Sequence, residues 1–134
     1  MGANRLYKSE KLCSKLEIEL LYDKGTSVIA YPLRAVWLAV PATQGKHPVA
    51  ARFLISIPKK RIRHAVNRVL LRRRTREAFR LNRDLLTGVA AQGKTVLIGF
   101  NWVSNEERKY STIERSMREL LSKIATEITS DNER

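Results

Sequence analysis

A single cysteine, Cys13, stands in the whole chain of 134 residues. That excludes an internal disulfide framework and a cysteine-based zinc site, and it suits a reducing, cytoplasmic setting. Cys13 is expected at the entry to a helix as a small apolar residue. No apolar run approaches the roughly 20 residues needed to span a bilayer. The N-terminal MGANRLYKSEKL lacks the apolar stretch of a secretory signal. Its Met-Gly start departs from a myristoylation site, because Leu6 stands where Ser or Thr is required. Internal repeats and low-complexity linkers are also missing. Acidic residues are scarce, 13 against 26 Lys and Arg, which leaves a net charge of +13. Such a chain repels itself when compact, so its natural partner is a polyanion. Nucleic acid fits best, and an anionic membrane surface is the alternative.

The length fits one domain, residues 1–134, with one hydrophobic core over about 6–128 and a frayed tail over 129–134. Hydrophobic residues at 43% and charged residues at 29% are those of a soluble globular protein. Ser14-Lys15-Leu16-Glu17 forms a capping box that opens a first helix, and Gly25 is placed to end it. Residues 27–31, Pro32 and 33–40 read as extended. In 33–40 apolar residues point both ways, so that strand should be central or well covered. After a loop over 41–48, residues 49–57 form the next strand, and a hairpin between the two is the simplest connection. A helix over about 63–86 is closed by Gly88, and the TVLIGF run makes a strand over 94–100. Ser111-Thr112-Ile113-Glu114 is a second capping box, followed by Ile113, Met117, Leu120, Leu121, Ile124 and Ile128 at helical spacing. Strands joined through a long helix should run parallel. The expected fold is α+β: a single-domain α/β sandwich in the order α-β-β-α-β-α, with a mixed sheet of about four strands packed with helices.

Between Lys59 and Arg83 lie Lys59, Lys60, Arg61, Arg63, Arg68, Arg72, Arg73, Arg74, Arg76, Arg80 and Arg83, with Glu77 as the one acid. Wound as an α-helix, Arg61, Arg68, Arg72, Arg73, Arg76, Arg80 and Arg83 fall within an arc of about 140°. Val66, Leu70, Leu71, Ala78, Leu81 and Leu85 gather on the other side, which predicts a helix docked by that side. A merely solvated face would interleave Glu and Lys, because like charges four apart repel. Arg68, Arg72, Arg76 and Arg80 are all alike at that spacing. A phosphate backbone completes such a surface, and the planar guanidinium takes phosphate oxygens two at a time. A DNA reader usually carries Asn, Gln or Ser among its arginines. This strip has almost none, which suits the backbone and shape of a folded RNA.

The stretch IPKKRIRHAVNRVLLRRRTREAFRLNR resembles the signature region of the bacterial ribonuclease P protein family. Lys59-Lys60, Ala65-Val66, Arg68, Arg72-Arg73 and Arg76-Glu77-Ala78-Phe79-Arg80 match its motifs in order. Tyr22 and Gly25 match the end of its first helix, and LRAVWL, TVLIGF and the last helix fit as well. The resemblance covers roughly residues 6–124. One departure is clear: the family's Arg-Asn-Arg triplet reads Arg68-Val69-Leu70 here. The resemblance implies a left-handed crossover between the parallel strands, as in the second domain of a small-subunit ribosomal protein. It further implies an accessory subunit, one per catalytic RNA, that binds that RNA through Lys59, Lys60, Arg61, Arg63, Arg68, Arg72, Arg73, Arg76, Arg80 and Arg83. The complex would remove the 5′ leader of precursor tRNA with magnesium held mainly by the RNA. By position Ile18, Tyr22 and Trp37 would line a leader cleft between the first helix and the sheet; Tyr22 and Trp37 are equally compatible with the core. Aromatics suit a single strand because any base stacks on them.

A structural RNA-binding protein of ribosomal type is the competing function, since similar composition would give it. A protein-only nuclease needs clustered carboxylates or histidines. The acids here scatter over helical positions such as Glu107, Glu114 and Glu119, and His47 and His64 have no nucleophile beside them. No catalytic side chain is expected, and Trp102 is read as a packing residue.

Overall fold

The computed structural model describes residues 10–12, 14–41 and 51–132; Cys13, His47 and residues 6–9 of the expected core lie outside them. Ser14 caps the first helix as its sequence predicts, its Oγ accepting from the Glu17 amide at 3.3 Å, and α1 runs Lys15–Lys24. The reciprocal half of the capping box is replaced: the Glu17 carboxylate takes the Arg52 guanidinium at 3.3 Å. Gly25 ends α1 with its amide on the Leu21 carbonyl at 2.8 Å. A Cβ there would lie 2.3 Å from that oxygen and 2.7 Å from Val36 Cγ1, so it is the close approach to the sheet that requires glycine.

The extended region around Pro32 is two strands, β1 (Thr26–Ala30) and β2 (Leu33–Pro41), which form an antiparallel hairpin across Tyr31-Pro32. With β3 (Ala51–Ser56) and β4 (Lys94–Trp102) they make one mixed sheet in the order β1-β2-β4-β3. The expected hairpin from residue 40 back to residue 49 is therefore wrong, because β4 lies between β2 and β3. The cause is apolar content: residues 95–100 of β4 are all buried, and a strand without a polar face takes the centre. The parallel pairing of β3 with β4 is as expected.

The connecting helix α2 (Ala65–Asn82) stops short of the expected 86, passing into a 3-10 turn at Arg83–Leu86 and a short α3 (Thr87–Ala91). Asn82 turns its side-chain amide back to the Ala78 carbonyl at 2.8 Å, a local bond that competes with the helical ladder. Gly88 thus lies inside α3, and the left-handed turn before β4 falls on Gly93, with φ +73. The last helix, α4, runs Tyr110–Asn132. Its second capping box is not formed: the Thr112 and Ile113 amides bond the Lys109 carbonyl, so the helix opens before Ser111. The tail expected to fray from 129 is helical to Asn132, carried by the buried Ile124 and Ile128.

The helices cover the sheet unequally. On one face, α2 and α4 bury the main core, with Ala35, Trp37, Val96, Ile98 and Phe100 facing Leu71, Phe79, Met117 and Leu120. The rings of Phe53 and Phe79 pack at 4.3 Å between centroids at its centre. On the other face α1 covers a smaller cluster of Leu12, Leu21, Val36 and Leu97. No helix among the described residues is long and apolar enough to cross a membrane.

Candidate nucleic-acid interface

Helix α2 is seated by Leu71, Thr75, Ala78, Phe79 and Asn82, all buried. Leu71 and Ala78 are among the expected docking residues. Val66, Leu81 and Leu85, also expected there, are not buried: they are 79%, 40% and 41% exposed. A wheel sorted by apolar character misplaces the seat, because two of its members are polar and satisfied at home. Thr75 Oγ1 donates to the Leu71 carbonyl at 2.7 Å, and Asn82 Oδ1 accepts from Arg118 Nε at 3.2 Å. The buried arc is thereby rotated toward Arg68 and Arg72, and the arginine strip begins at the edge of the seat rather than opposite it.

The basic residues divide by what their charged ends already do. Arg83 donates to the Glu10 carboxylate in a pair with side chains only 16% and 7% exposed. Arg80 is bound to Glu77 through Nε at 3.0 Å and through Nη2, and that contact holds the Glu77 carboxyl below its usual range. Arg68 Nη1 donates to the Ile62 and Arg63 carbonyls at 3.0 and 2.8 Å, which shapes the loop before α2. Arg61 Nη1 donates to Asn105 Oδ1 at 3.1 Å, and Arg74 Nη1 to the Arg108 carbonyl at 2.8 Å. By contrast the charged ends of Lys59, Lys60, Arg63, Arg72, Arg73 and Arg76 make no hydrogen bond or ion pair among the described residues. Their charge is directed to solvent, from the loop after β3 along the first half of α2. Local spacing grouped all ten expected cations alike; the partners of Arg83 and Arg61 come from segments distant in sequence, whereas those of Arg80 and Arg68 are near neighbours in the chain.

The α1 face carries the second expected surface. Ile18 is half-buried against the α1 cluster, and Tyr22 is 46% exposed, its hydroxyl donating to Asn101 Oδ1 at 3.3 Å. A Cβ on Gly99 would fall 2.5 Å from Tyr22 Oη and 3.1 Å from Cζ, so the ring lies directly on the β4 backbone. Trp37 does not join them. It is 7% exposed and belongs to the core under α2 and α4. The pleat decides this: Val36 points to α1, so its neighbours Ala35 and Trp37 point away. In its place the register brings Arg34 opposite Asn101 and Ser56 opposite Asn101 from the other side. Sequence reasoning missed Arg34 and Asn101; the alternation from Val36 could have placed Arg34, whereas Asn101 needed the strand order. Because β3 runs parallel to β4, this end of the face leads into Lys59 and Lys60. Among the described residues no three His, Cys, Asp or Glu side chains gather to hold a metal. Trp102 is 1% exposed, a packing residue as expected.

A sequence model of the ribonuclease P family matches residues 6–125. The chain belongs to the ribonuclease P protein family. Members of this family serve in the ribonuclease complex that matures the 5′ ends of tRNA. A ribonuclease P protein component from Porphyromonas gingivalis is 38% identical over 127 residues, covering 93% of this chain and 90% of that one. Among solved structures, the RNase P protein from Thermotoga maritima aligns with a TM-score of 0.65 at 19% identity, over 85% of this chain and 96% of that one. The Staphylococcus aureus RNase P protein aligns at 0.56 with 22% identity, over 88% and 96%. These two likenesses carry the fold, an α+β domain with a four-stranded mixed sheet.

Proposed function

We propose that this chain is the cytoplasmic protein subunit of a ribonuclease P, one copy per catalytic RNA, binding that RNA through the loop after β3 and the outer side of α2. The observation that carries the reading is the set Lys59, Lys60, Arg63, Arg72, Arg73 and Arg76, cations whose charged ends have no partner among the described residues and lie in a row along one surface. Phosphate oxygens satisfy such groups, and each contact releases counterions. The 5′ leader of precursor tRNA lies as a single strand over the α1 face, with a base on Tyr22 and polar contacts to Arg34, Ser56 and Asn101. Lys59 and Lys60 stand where the two surfaces meet, so they bridge leader and catalytic RNA.

The side chains of the RNA face are guanidinium and ammonium groups, which do not fit a hard cation that seeks oxygen ligands. In this reading magnesium is held by the oxygens of the RNA, and the protein's part is to bind and orient. The direct test is reconstitution with the ribonuclease P RNA of the same organism and a precursor tRNA at low magnesium. Leader removal is expected to be stimulated by the protein and absent with protein alone. Tight RNA binding without stimulation would instead favour a structural RNA-binding role.

A further inference from the structure

The side of α2 that carries Arg72, Arg73 and Arg76 also carries two valines that no packing among the described residues explains. Val66 is 79% and Val69 53% exposed, and neither belongs to a core cluster. Three residues apart on a helix, they are neighbours on one ridge. Arg72 and Arg73 follow Val69 by three and four residues, so the valines lie among the cations that face solvent. β-branched residues are weak helix formers, and apolar side chains left in water gain nothing from folding. A face that served only to hold phosphates would be better filled by polar side chains.

We propose that Val66 and Val69 form an apolar seat for an unstacked nucleobase of the bound RNA, with Arg72, Arg73 and Arg76 holding the phosphates around it. The inference rests on α2 being the RNA-binding face. An uninterrupted A-form duplex offers a protein mainly phosphates, riboses and a shallow groove of 2′-hydroxyls. Pressing two valines onto that surface would strip water from polar groups and return no hydrogen bond. A base turned out of its stack presents an apolar face instead, and covering it removes apolar surface on both sides. The partner element is therefore a loop or bulge with an unpaired base, and the surrounding guanidiniums favour it because it supplies phosphates on either side of the base.

The test measures affinity for the ribonuclease P RNA of the same organism across a series of salt concentrations. Val69→Ser and Val66→Ser are expected to weaken binding by about fivefold each, from apolar area buried in the wild type. Their salt slopes should equal that of the wild type, because no phosphate contact is lost. Val69→Ile keeps the apolar contact and should bind like the wild type, which separates contact from folding. Arg72→Ala in parallel should lower the slope. If Arg72→Ala does so while Val69→Ser binds as well as wild type, the seat is refuted and the RNA face stands. If Arg72→Ala, Arg73→Ala and Arg76→Ala all leave affinity and slope unchanged, the face is wrong and the seat falls with it. Chemical probing of the RNA 2′-hydroxyls gives a second readout: the protection lost on Val69→Ser should fall on unpaired nucleotides. Loss confined to base-paired segments would overturn the proposal.

Discussion

Removing the Arg83 guanidinium separates a structural cation from an RNA-binding one. Arg83→Ala leaves the Glu10 carboxylate, 7% exposed, without its partner across the chain. Breaking a fully buried pair costs about 3–5 kcal/mol. Arg83 is itself 16% exposed and Glu10 has further contacts, which together reduce the expected loss to about 2 kcal/mol. For a domain of this length that lowers the thermal midpoint by roughly 6–10 °C. The same pair ties residues 10–12, which lie against β3 through the Leu12 amide on the Phe53 carbonyl at 2.9 Å, to the turn after α2. In a Glu10→Ala background, Arg83→Ala should therefore cost much less than it does alone. The assay is unfolding followed by circular dichroism, with RNA affinity measured against salt on the folded variants. The slope should match the wild type. An unchanged midpoint together with a slope lowered by about 0.7–0.9, the mark of one lost phosphate contact, would refute the reasoning and return Arg83 to the RNA surface.

Other perturbations address the remaining surfaces. Tyr22→Ala is expected to weaken precursor tRNA by about tenfold, the worth of one stacked base, and to leave mature tRNA unaffected; equal losses would remove Tyr22 from the leader path. Gly99→Ala should cost little stability, since the atom it meets is the far end of the exposed Tyr22 side chain, yet it should displace the ring and reproduce the selective loss seen with Tyr22→Ala. Trp37→Ala, by contrast, opens a cavity in the main core worth about 3–5 kcal/mol, and any loss of binding should fall equally on precursor and mature tRNA. Burial, followed by the Glu114 carboxylate that accepts its hydroxyl proton, pushes Tyr110 from 10.0 up to about 12. Above the ordinary tyrosine value the unfolded chain gives up this proton while the folded chain keeps it, so stability falls as pH rises from about 10 through 12. Tyr110→Phe should flatten that alkaline limb; a curve that superimposes on the wild type would show that Tyr110 contributes none of it.

Local pattern alone determined a good part of this protein. The cap at Ser14, the helical ladder from Ile113 to Ile128 and the run of cations after β3 depend on residues within one or two turns of each other, and the parallel relation of β3 and β4 follows from the long helical connection between them. The signature spanning Lys59 to Arg80 was enough to point to the family. Tertiary structure decided what depends on distant neighbours. β4 entered the centre of the sheet because burial on both faces outweighs the convenience of a short hairpin. That placement set the pleat which took Trp37 into the core and brought Arg34 and Asn101 beside Tyr22. Thr75 and Asn82 could seat α2 because each found a hydrogen bond inside the fold, an option hidden from any reading by apolar character. Charge was visible from the outset, but availability was not: an arginine is free for a phosphate only where no carboxylate or carbonyl already holds it. Glu10, Asn105 and the Arg108 carbonyl reach the basic segment through the folded chain, Glu77 and the Ile62 and Arg63 carbonyls act from within it, and together they divide one uniform run into anchors and ligands.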